Sequence, residues 1–145
     1  MRKIALIVAL LVALAAAPAA VAQVPAVQEA LLNYLTNIAS DFQAVQVPAL
    51  KARLDAGEKV FVLDVREPTE FAAGRIAGAV NIPIRTLARN LDKLPARDAP
   101  VVVVCRSGMR AAYVTMALTI MGWTNVRDLA FGMYEWERQT LPMEK

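Results

Sequence analysis

The chain has 145 residues, of which 57% are hydrophobic and 20% charged, and this size and balance suit one globular domain. One cysteine and no histidine exclude an internal disulfide and every reaction or metal site that depends on imidazole. We expect no cofactor and no metal ion. The net charge of +3 comes without clustered lysine and arginine, which argues against nucleic-acid binding.

The first 22 residues have the pattern of a secretory signal peptide. Arg2 and Lys3 form a basic start, an unbroken apolar run covers residues 4–15, and a small-x-small pattern ends at Ala22. The run is shorter than the roughly 20 residues that cross a bilayer, which disfavours the alternative of an uncleaved anchor. We therefore expect cleavage after Ala22 and a periplasmic or secreted protein with no membrane association. Loss of the two basic residues lowers the net charge to +1.

Residues 23–44 are interpreted as an N-terminal extension, and residues 45–145 as the folded domain. Within the extension, apolar residues such as Leu31 and Leu35 recur at helical spacing and predict an amphipathic helix over residues 28–39. We expect this helix to pack against the domain, and packing against a partner protein is the alternative.

Short apolar runs alternate with short helical patterns along the rest of the chain. The predicted strands cover residues 45–47, 60–63, 79–82, 101–104 and 126–129. The predicted helices cover residues 48–56, 68–73, 87–94, 111–121 and 134–138. The helix over residues 111–121 is almost wholly apolar, which predicts burial on most of its sides. This alternation predicts an α/β fold with a parallel sheet and helices on both faces.

Cys105 directly follows the strongest predicted strand, a run of four valines. In open α/β sheets, ligands bind beyond the carboxyl ends of the strands. The five residues after Cys105 lead into a helix, so successive backbone N–H groups and the positive end of the helix dipole are expected to face the sulfur. A thiolate at this position would be stabilised as an anion.

The residues that flank Cys105 favour a reactive thiol over an inert buried one. Arg106 and Arg110 add positive charge, Gly108 permits a tight loop, and Ser107 can donate a further hydrogen bond. We therefore predict that Cys105 is the catalytic residue. The predicted substrate-binding residues are Arg106, Ser107, Gly108, Met109 and Arg110.

The spacing between Cys105 and Arg110 indicates which chemical group the site transfers. Phosphatases that use cysteine carry Cys-x5-Arg, whereas this loop is Cys-x4-Arg. A shorter loop encloses a smaller pocket, which suits one extra sulfur atom better than a tetrahedral phosphoryl group. The spacing thus favours sulfur transfer, and a cysteine-based phosphatase or arsenate reductase is the weaker alternative.

Several separate motifs resemble those of a single-domain rhodanese. The loop pattern Cys-Arg-x-Gly-x-Arg is matched in full from Cys105 to Arg110. The other matching segments are Leu63–Pro68, Glu70-Phe71, Gly74–Ala79, Gly122-Trp123, Val126, Leu129, Gly132 and Trp136. The resemblance covers about residues 48–140, and it implies a five-stranded parallel sheet flanked by helices on both faces.

The resemblance also implies a mechanism that the residues allow. The Cys105 thiolate would take sulfur from thiosulfate or a persulfide donor, hold it as a persulfide, and pass it to cyanide or a thiol. Arg106 and Arg110 would attract and orient the donor, although a salt bridge that holds the loop is an equal possibility for Arg110. The alternative is an exported relay or binding module with low turnover, which would hand sulfur to a protein acceptor.

Two positions depart from the family pattern, and two more are candidates for the border of the pocket. Arg75 replaces the usual histidine in a turn, where we expect a structural role. Phe131 replaces a glycine near the active loop, where it would narrow or cap the pocket. Asp64 and Arg66 lie at the carboxyl end of another strand, where they either border the pocket or pair with each other, and we favour pairing.

Overall fold

The computed structural model describes residues 18–145. Helix α1, Pro18–Asn37, contains residues 28–37 of the helix predicted over residues 28–39, and it extends back to Pro18. The chain divides into two compact units between Asn37 and Ile38. Most of the predicted signal peptide, residues 1–17, lies outside the described residues. None of the described helices has the length and apolar character needed to cross a membrane.

A sheet of five parallel strands forms the centre of the second unit, as the alternating pattern predicted. The strands are β1 (Ala44–Val45), β2 (Phe61–Asp64), β3 (Val80–Asn81), β4 (Val101–Val104) and β5 (Val126–Leu129). Their order across the sheet is β1-β5-β4-β2-β3, so β4 is central and is paired on both sides. The two edge strands are only two residues long, shorter than predicted.

The central position of β4 follows from its sequence of four valines. All four side chains are buried, as expected for a parallel strand covered on both faces. Val101 is in register with Phe61 of β2 and with Val126 of β5. The β-branched side chains favour the extended backbone and pack well on a pleated surface. The strand therefore holds the residue that follows it, Cys105, at a fixed point in the middle of the sheet edge.

Four helices flank the sheet: α2 (Val47–Asp55), α3 (Pro68–Ala73), α4 (Met109–Ile120) and α5 (Gly132–Arg138). Helices α2 and α3 each carry a proline in the first turn, where its missing N–H group would have no partner inside the helix. A reciprocal pair of hydrogen bonds between Glu67 and Glu70 forms a capping box at the start of α3. The bounds of both helices match the predicted ones to within a residue or two.

Two hydrophobic cores lie on opposite faces of the sheet because side chains alternate along each strand. Val101 and Val103 join Leu118 of α4 and Trp123 in the first core. The second core contains Val62, Val102, Val104, Leu50 of α2, and Met133 and Trp136 of α5. The prediction of helices on both faces is confirmed, with α4 on one face and α2 and α5 on the other.

The predicted helix over residues 87–94 is wrong. Two short 3₁₀ helices, Leu87–Arg89 and Leu91–Lys93, occupy this segment. Asn90 interrupts the helical backbone between them, with φ −134° and ψ 24°. Its side-chain amide donates to the carbonyl oxygen of Thr86 at 2.7 Å, and such local side-chain bonds compete with helix formation.

The prediction that the apolar helix α4 is buried on most sides is also wrong. Ala111, Val114 and Leu118 face the core, whereas Met109 and Tyr113 lie largely exposed on the other side. The apolar composition arises from both sides of the helix, and the sheet covers one of them. An exposed apolar stripe therefore begins directly after the Cys105 loop.

Candidate active site

Cys105 lies at the carboxyl end of β4, and its side chain is only 1% exposed. The backbone around it is fixed by the start of α5. The N–H of Met133 donates to the carbonyl oxygen of Cys105 at 2.8 Å, and the N–H of Tyr134 donates to that of Arg106 at 2.8 Å. These two bonds bring the first turn of α5 directly beneath the loop.

Gly108 supplies the hydrogen bond that the structure records at the Cys105 sulfur. Its N–H donates to Sγ over 3.2 Å, and α4 begins at the next residue. Gly108 has φ +93°, which favours glycine, and a Cβ atom added there would lie 3.3 Å from the nitrogen of Phe131. The loop therefore folds back over the sulfur and aims an amide and the positive end of α4 at it.

Gly132 allows the closest approach between the loop and α5. Its φ is +55°, and an added Cβ atom would lie 2.2 Å from the carbonyl oxygen of Cys105. A side chain at this position would displace the backbone of the Cys105 loop. The sequence placed Gly132 among the matching motifs but did not reveal that it supports the backbone of Cys105.

Arg110 forms a bidentate ion pair with Glu70 of α3. Both N–O distances are 2.8 Å, and both side chains are about one third exposed. The hydrogen bonds to Arg110 lower the pKa of Glu70 to about 2. The same bonds raise the pKa of Arg110, and the nearby Cys105 adds a smaller increase. The salt bridge considered for Arg110 is present, and its contact with substrate stays a prediction.

Arg106 pairs with Glu137 of α5. The distance between Nη1 and Oε1 is 2.5 Å, and the side chain of Arg106 remains 49% exposed. The hydrogen bond to this carboxylate raises the pKa of Arg106. Glu70 and Glu137 were not predicted as site residues. The capping box at the start of α3 was a local signal for Glu70, whereas Glu137 lies 31 residues from its partner, with no spacing to connect them.

Asp64 and Arg66 form a buried ion pair. The Nη2 atom of Arg66 lies 2.6 Å from Oδ2 of Asp64, and the same nitrogen donates to the carbonyl oxygen of Gly74 at 2.8 Å. Both side chains are at most 3% exposed. The pairing that we favoured is therefore present, and it fixes the turn that follows α3.

A cavity of about 320 Å³ lies beside the loop. It is lined by Arg66, Glu70, Ala73, Gly74, Arg106, Glu137 and Met143. Arg66 thus borders the cavity as well as pairing with Asp64. Asp64 and Phe131, the other two candidate border residues, are not among the lining residues. The carboxylate of Asp64 is turned toward Arg66, and Phe131, in a left-handed backbone conformation, is 65% exposed to solvent.

Ser107 and Met109, the two remaining predicted loop residues, are exposed beside the buried sulfur. Met109 begins α4, and Ser107 precedes the left-handed Gly108. The Cys105 sulfur receives its recorded hydrogen bond from Gly108, whereas the sequence had also suggested Ser107 as a donor.

Comparison with known families decides what this arrangement belongs to. A family model described as the rhodanese-like domain matches residues 46–139. The chain belongs to the rhodanese-like family. The match includes the loop from Cys105 to Arg110, both ion pairs that hold it, and Gly132.

Known proteins similar to this rhodanese-like chain include a sulfurtransferase from Allochromatium vinosum. It is 34% identical over 95 residues, which are 66% of this chain and 88% of that protein. The crystal structure of a rhodanese-related protein from Thermoplasma volcanium is 33% identical with a TM-score of 0.63, covering 70% of this chain and 96% of that one. The human single-domain sulfurtransferase TSTD1 is 30% identical with a TM-score of 0.60, covering 67% and 96%.

Arg75, the departure from the rhodanese pattern in the turn after α3, contacts the last residues of the chain. Its backbone exchanges two hydrogen bonds with Glu144, at 2.9 and 3.0 Å, and its Nε atom lies 3.6 Å from the carboxylate of Glu144. The guanidinium also lies over the ring of Phe71, 5.0 Å from the centroid. These contacts support the structural role expected for Arg75, and they hold Met143 at the edge of the cavity.

Proposed function

We propose that this chain is a sulfurtransferase that carries sulfane sulfur on Cys105. It takes the sulfur from thiosulfate or a persulfide donor and delivers it to a thiophilic acceptor, either cyanide or a thiol. The observation that carries the proposal is the enclosure of the Cys105 sulfur beneath the N–H of Gly108 at the start of α4. An amide-lined loop of this size suits a persulfide anion.

The chemistry proceeds in two half-reactions, each a displacement at sulfur. The Cys105 thiolate attacks the outer sulfur of thiosulfate, the S–S bond of the donor breaks, and sulfite leaves with the electron pair. The outer sulfur of the resulting persulfide is then attacked by cyanide or a thiolate, and Cys105 leaves as the thiolate. Amide groups and the dipole of α4 stabilise the anion at both stages.

The two arginines of the loop have different roles in this proposal. Arg110 is held in a bidentate pair with Glu70, so it positions the loop and contributes fixed positive charge near Cys105. Arg106 is half exposed at the edge of the cavity, so it is the residue that meets an anionic donor first.

The named relatives support a donor and an acceptor of sulfur as the substrates. The protein from Allochromatium vinosum and the human protein are both named as sulfurtransferases. We further propose that residues 1–22 direct export and are removed after Ala22, on the strength of the basic start and the apolar run. The mature protein would then act in the periplasm or outside the cell.

Intact-mass analysis of the protein purified from an exporting host tests these statements together. We expect the mass of residues 23–145, a gain of one sulfur atom after incubation with thiosulfate, and loss of that sulfur after addition of cyanide. Cys105→Ser should show no gain and produce no thiocyanate. Full activity of Cys105→Ser would refute the proposed function, and a mass that includes residues 1–22 would refute the cleavage.

A second candidate, a relay that hands sulfur to one protein acceptor, is favoured by the exposed apolar residues beside the loop. Met109, Tyr113, Phe131 and Tyr134 are each more than half exposed. In that case cyanide would remove sulfur slowly, whereas a cognate acceptor would remove it quickly. Fast turnover on thiosulfate and cyanide alone would count against the relay.

A further inference from the structure

Every guanidinium that lines the cavity in the described part of the chain is already paired with a carboxylate. Arg66 is paired with Asp64, and Arg106 with Glu137. Arg110 is not among the lining residues, but it is paired with Glu70, which is. The cavity beside the Cys105 loop, which Arg106 lines and Cys105 does not, is therefore close to electrically neutral. A cavity meant to concentrate small dianions would instead present unpaired positive charge.

The three pairs differ in how readily they can open. Asp64 and Arg66 are buried and joined by several hydrogen bonds, and Arg110 and Glu70 form two parallel bonds. Arg106 and Glu137 share a single recorded bond, with the arginine 49% and the glutamate 35% exposed. Exposed single-bond pairs are weak, so this pair is the one that an incoming anion can displace.

We propose that Glu137 is a specificity-determining residue, which occupies Arg106 and thereby disfavours dianionic sulfur donors relative to donors of lower charge. The inference rests on the proposed function and adds the class of donor to it. A dianion must displace the tethered carboxylate and also approach its negative charge. A monoanionic donor suffers about half of that repulsion, because the interaction scales with the product of the charges.

Two donors that share the reacting S–S bond make the comparison clean. Thiosulfate carries two negative charges, and methanethiosulfonate carries one because a methyl group replaces one oxyanion. Each transfers its outer sulfur to the Cys105 thiolate, with sulfite or methanesulfinate as the leaving group. The substitution Glu137→Gln removes the charge and keeps the size of the side chain.

We expect Glu137→Gln to raise kcat/KM about fivefold for thiosulfate and about twofold for methanethiosulfonate, chiefly through KM. The difference should shrink near 1 M salt, where the Debye length is about 3 Å. In an Arg106→Gln background, Glu137→Gln should have a clearly smaller effect on thiosulfate, since no guanidinium remains to be freed.

Glu135→Gln is the matched control. Glu135 lies on the same helix and carries the same charge, but it pairs with Arg138, whose side chain is exposed, and it is not among the residues that line the cavity. We expect this control to leave the preference between the two donors unchanged. An equal change for Glu135→Gln and Glu137→Gln would overturn the inference, because it would reflect net charge alone.

The inference can also fail while the proposed function stands. If Cys105 of the unsubstituted protein gains sulfur from either donor but Glu137→Gln leaves the ratio of the two kcat/KM values unchanged, Glu137 does not set donor class. If neither donor loads Cys105 in any variant, both the inference and the proposed function are overturned.

Discussion

Gly132 lies against the backbone of Cys105, and its lack of a side chain allows the close approach. We predict that Gly132→Ala shifts the loop, because the new Cβ atom would start 2.2 Å from the carbonyl oxygen of Cys105. The expected result is a loss of about 2 kcal/mol in the free energy of unfolding, typical of overpacking, together with slow or absent loading of sulfur. Urea denaturation and intact mass after thiosulfate measure the two effects.

Gly57→Ala separates the two causes of lower stability in Gly132→Ala, which are the left-handed backbone and the contact with Cys105. Gly57 also has a left-handed backbone, with φ +73°, but an added Cβ atom would meet nothing within 4 Å. It therefore reports the cost of the backbone conformation alone, and it should load sulfur normally. Equal behaviour of the two variants would show that contact with Cys105 is not what Gly132 provides.

The ion pair between Arg110 and Glu70 joins two helices, since α4 carries the arginine and α3 the glutamate. The folded pKa of Glu70 is about 2, below the ordinary value of 4.5. A carboxyl whose pKa is depressed stabilises the fold above its unfolded pKa, and this contribution is lost as the pH falls from about 4.5 toward 2.

We therefore predict that Glu70→Gln lowers the free energy of unfolding at pH 7 by about 1 to 2 kcal/mol, a value reduced for partial exposure to solvent. The difference from the unsubstituted protein should shrink toward zero as the pH approaches 2. Urea denaturation at pH 7, 4.5 and 2.5 measures it. A difference that stays constant with pH would indicate that the charge of Glu70 is not its source.

The elements show where sequence reasoning succeeded and where it failed. Strand β4 and the loop after it were predictable because four adjacent valines and the motif from Cys105 to Arg110 are local signals. The partners of the loop arginines were not, because Glu70 and Glu137 lie 40 and 31 residues away along the chain. Local spacing carries no information about contacts at that separation.

Two predictions about helices were wrong because they relied on local composition and spacing. The apolar residues of α4 indicated burial, but apolar composition does not say which side of a helix the sheet covers. The leucine spacing in residues 87–94 indicated one helix, but the side chain of Asn90 bonds to Thr86 and divides it in two. In both cases tertiary or side-chain contacts outweighed the local pattern.

At the scale of the whole molecule, the buried carboxyl of Asp128 changes the free energy of unfolding with pH in the direction opposite to Glu70. It lies on β5, and burial raises its pKa from 3.8 to about 6, although Arg127 nearby lowers it in part. Asp41, the other charged group that acts on it, adds to the increase. A carboxyl whose pKa is raised stabilises the fold when protonated, and this contribution is lost as the pH rises through about 6.

We predict that Asp128→Asn raises the free energy of unfolding at pH 7.5 by about 1 to 2 kcal/mol and has little effect below about pH 4. Glu70 loses its contribution below about pH 4.5, and Asp128 loses its own from about pH 3.8 upward, so the unsubstituted protein should be most stable near pH 4. Thermal unfolding across pH 3 to 8 measures both statements. A benefit of Asp128→Asn that persists at pH 3.5 would contradict the assigned cause.

The two tryptophans of the chain lie in different cores, Trp123 on one face of the sheet and Trp136 on the other. Each indole N–H donates to a proline carbonyl, Pro95 for the first and Pro142 for the second. The protein thus carries one fluorophore in each layer. In variants with a single tryptophan, fluorescence would follow the unfolding of each core separately. A lag between the two signals would show that the two cores do not unfold together.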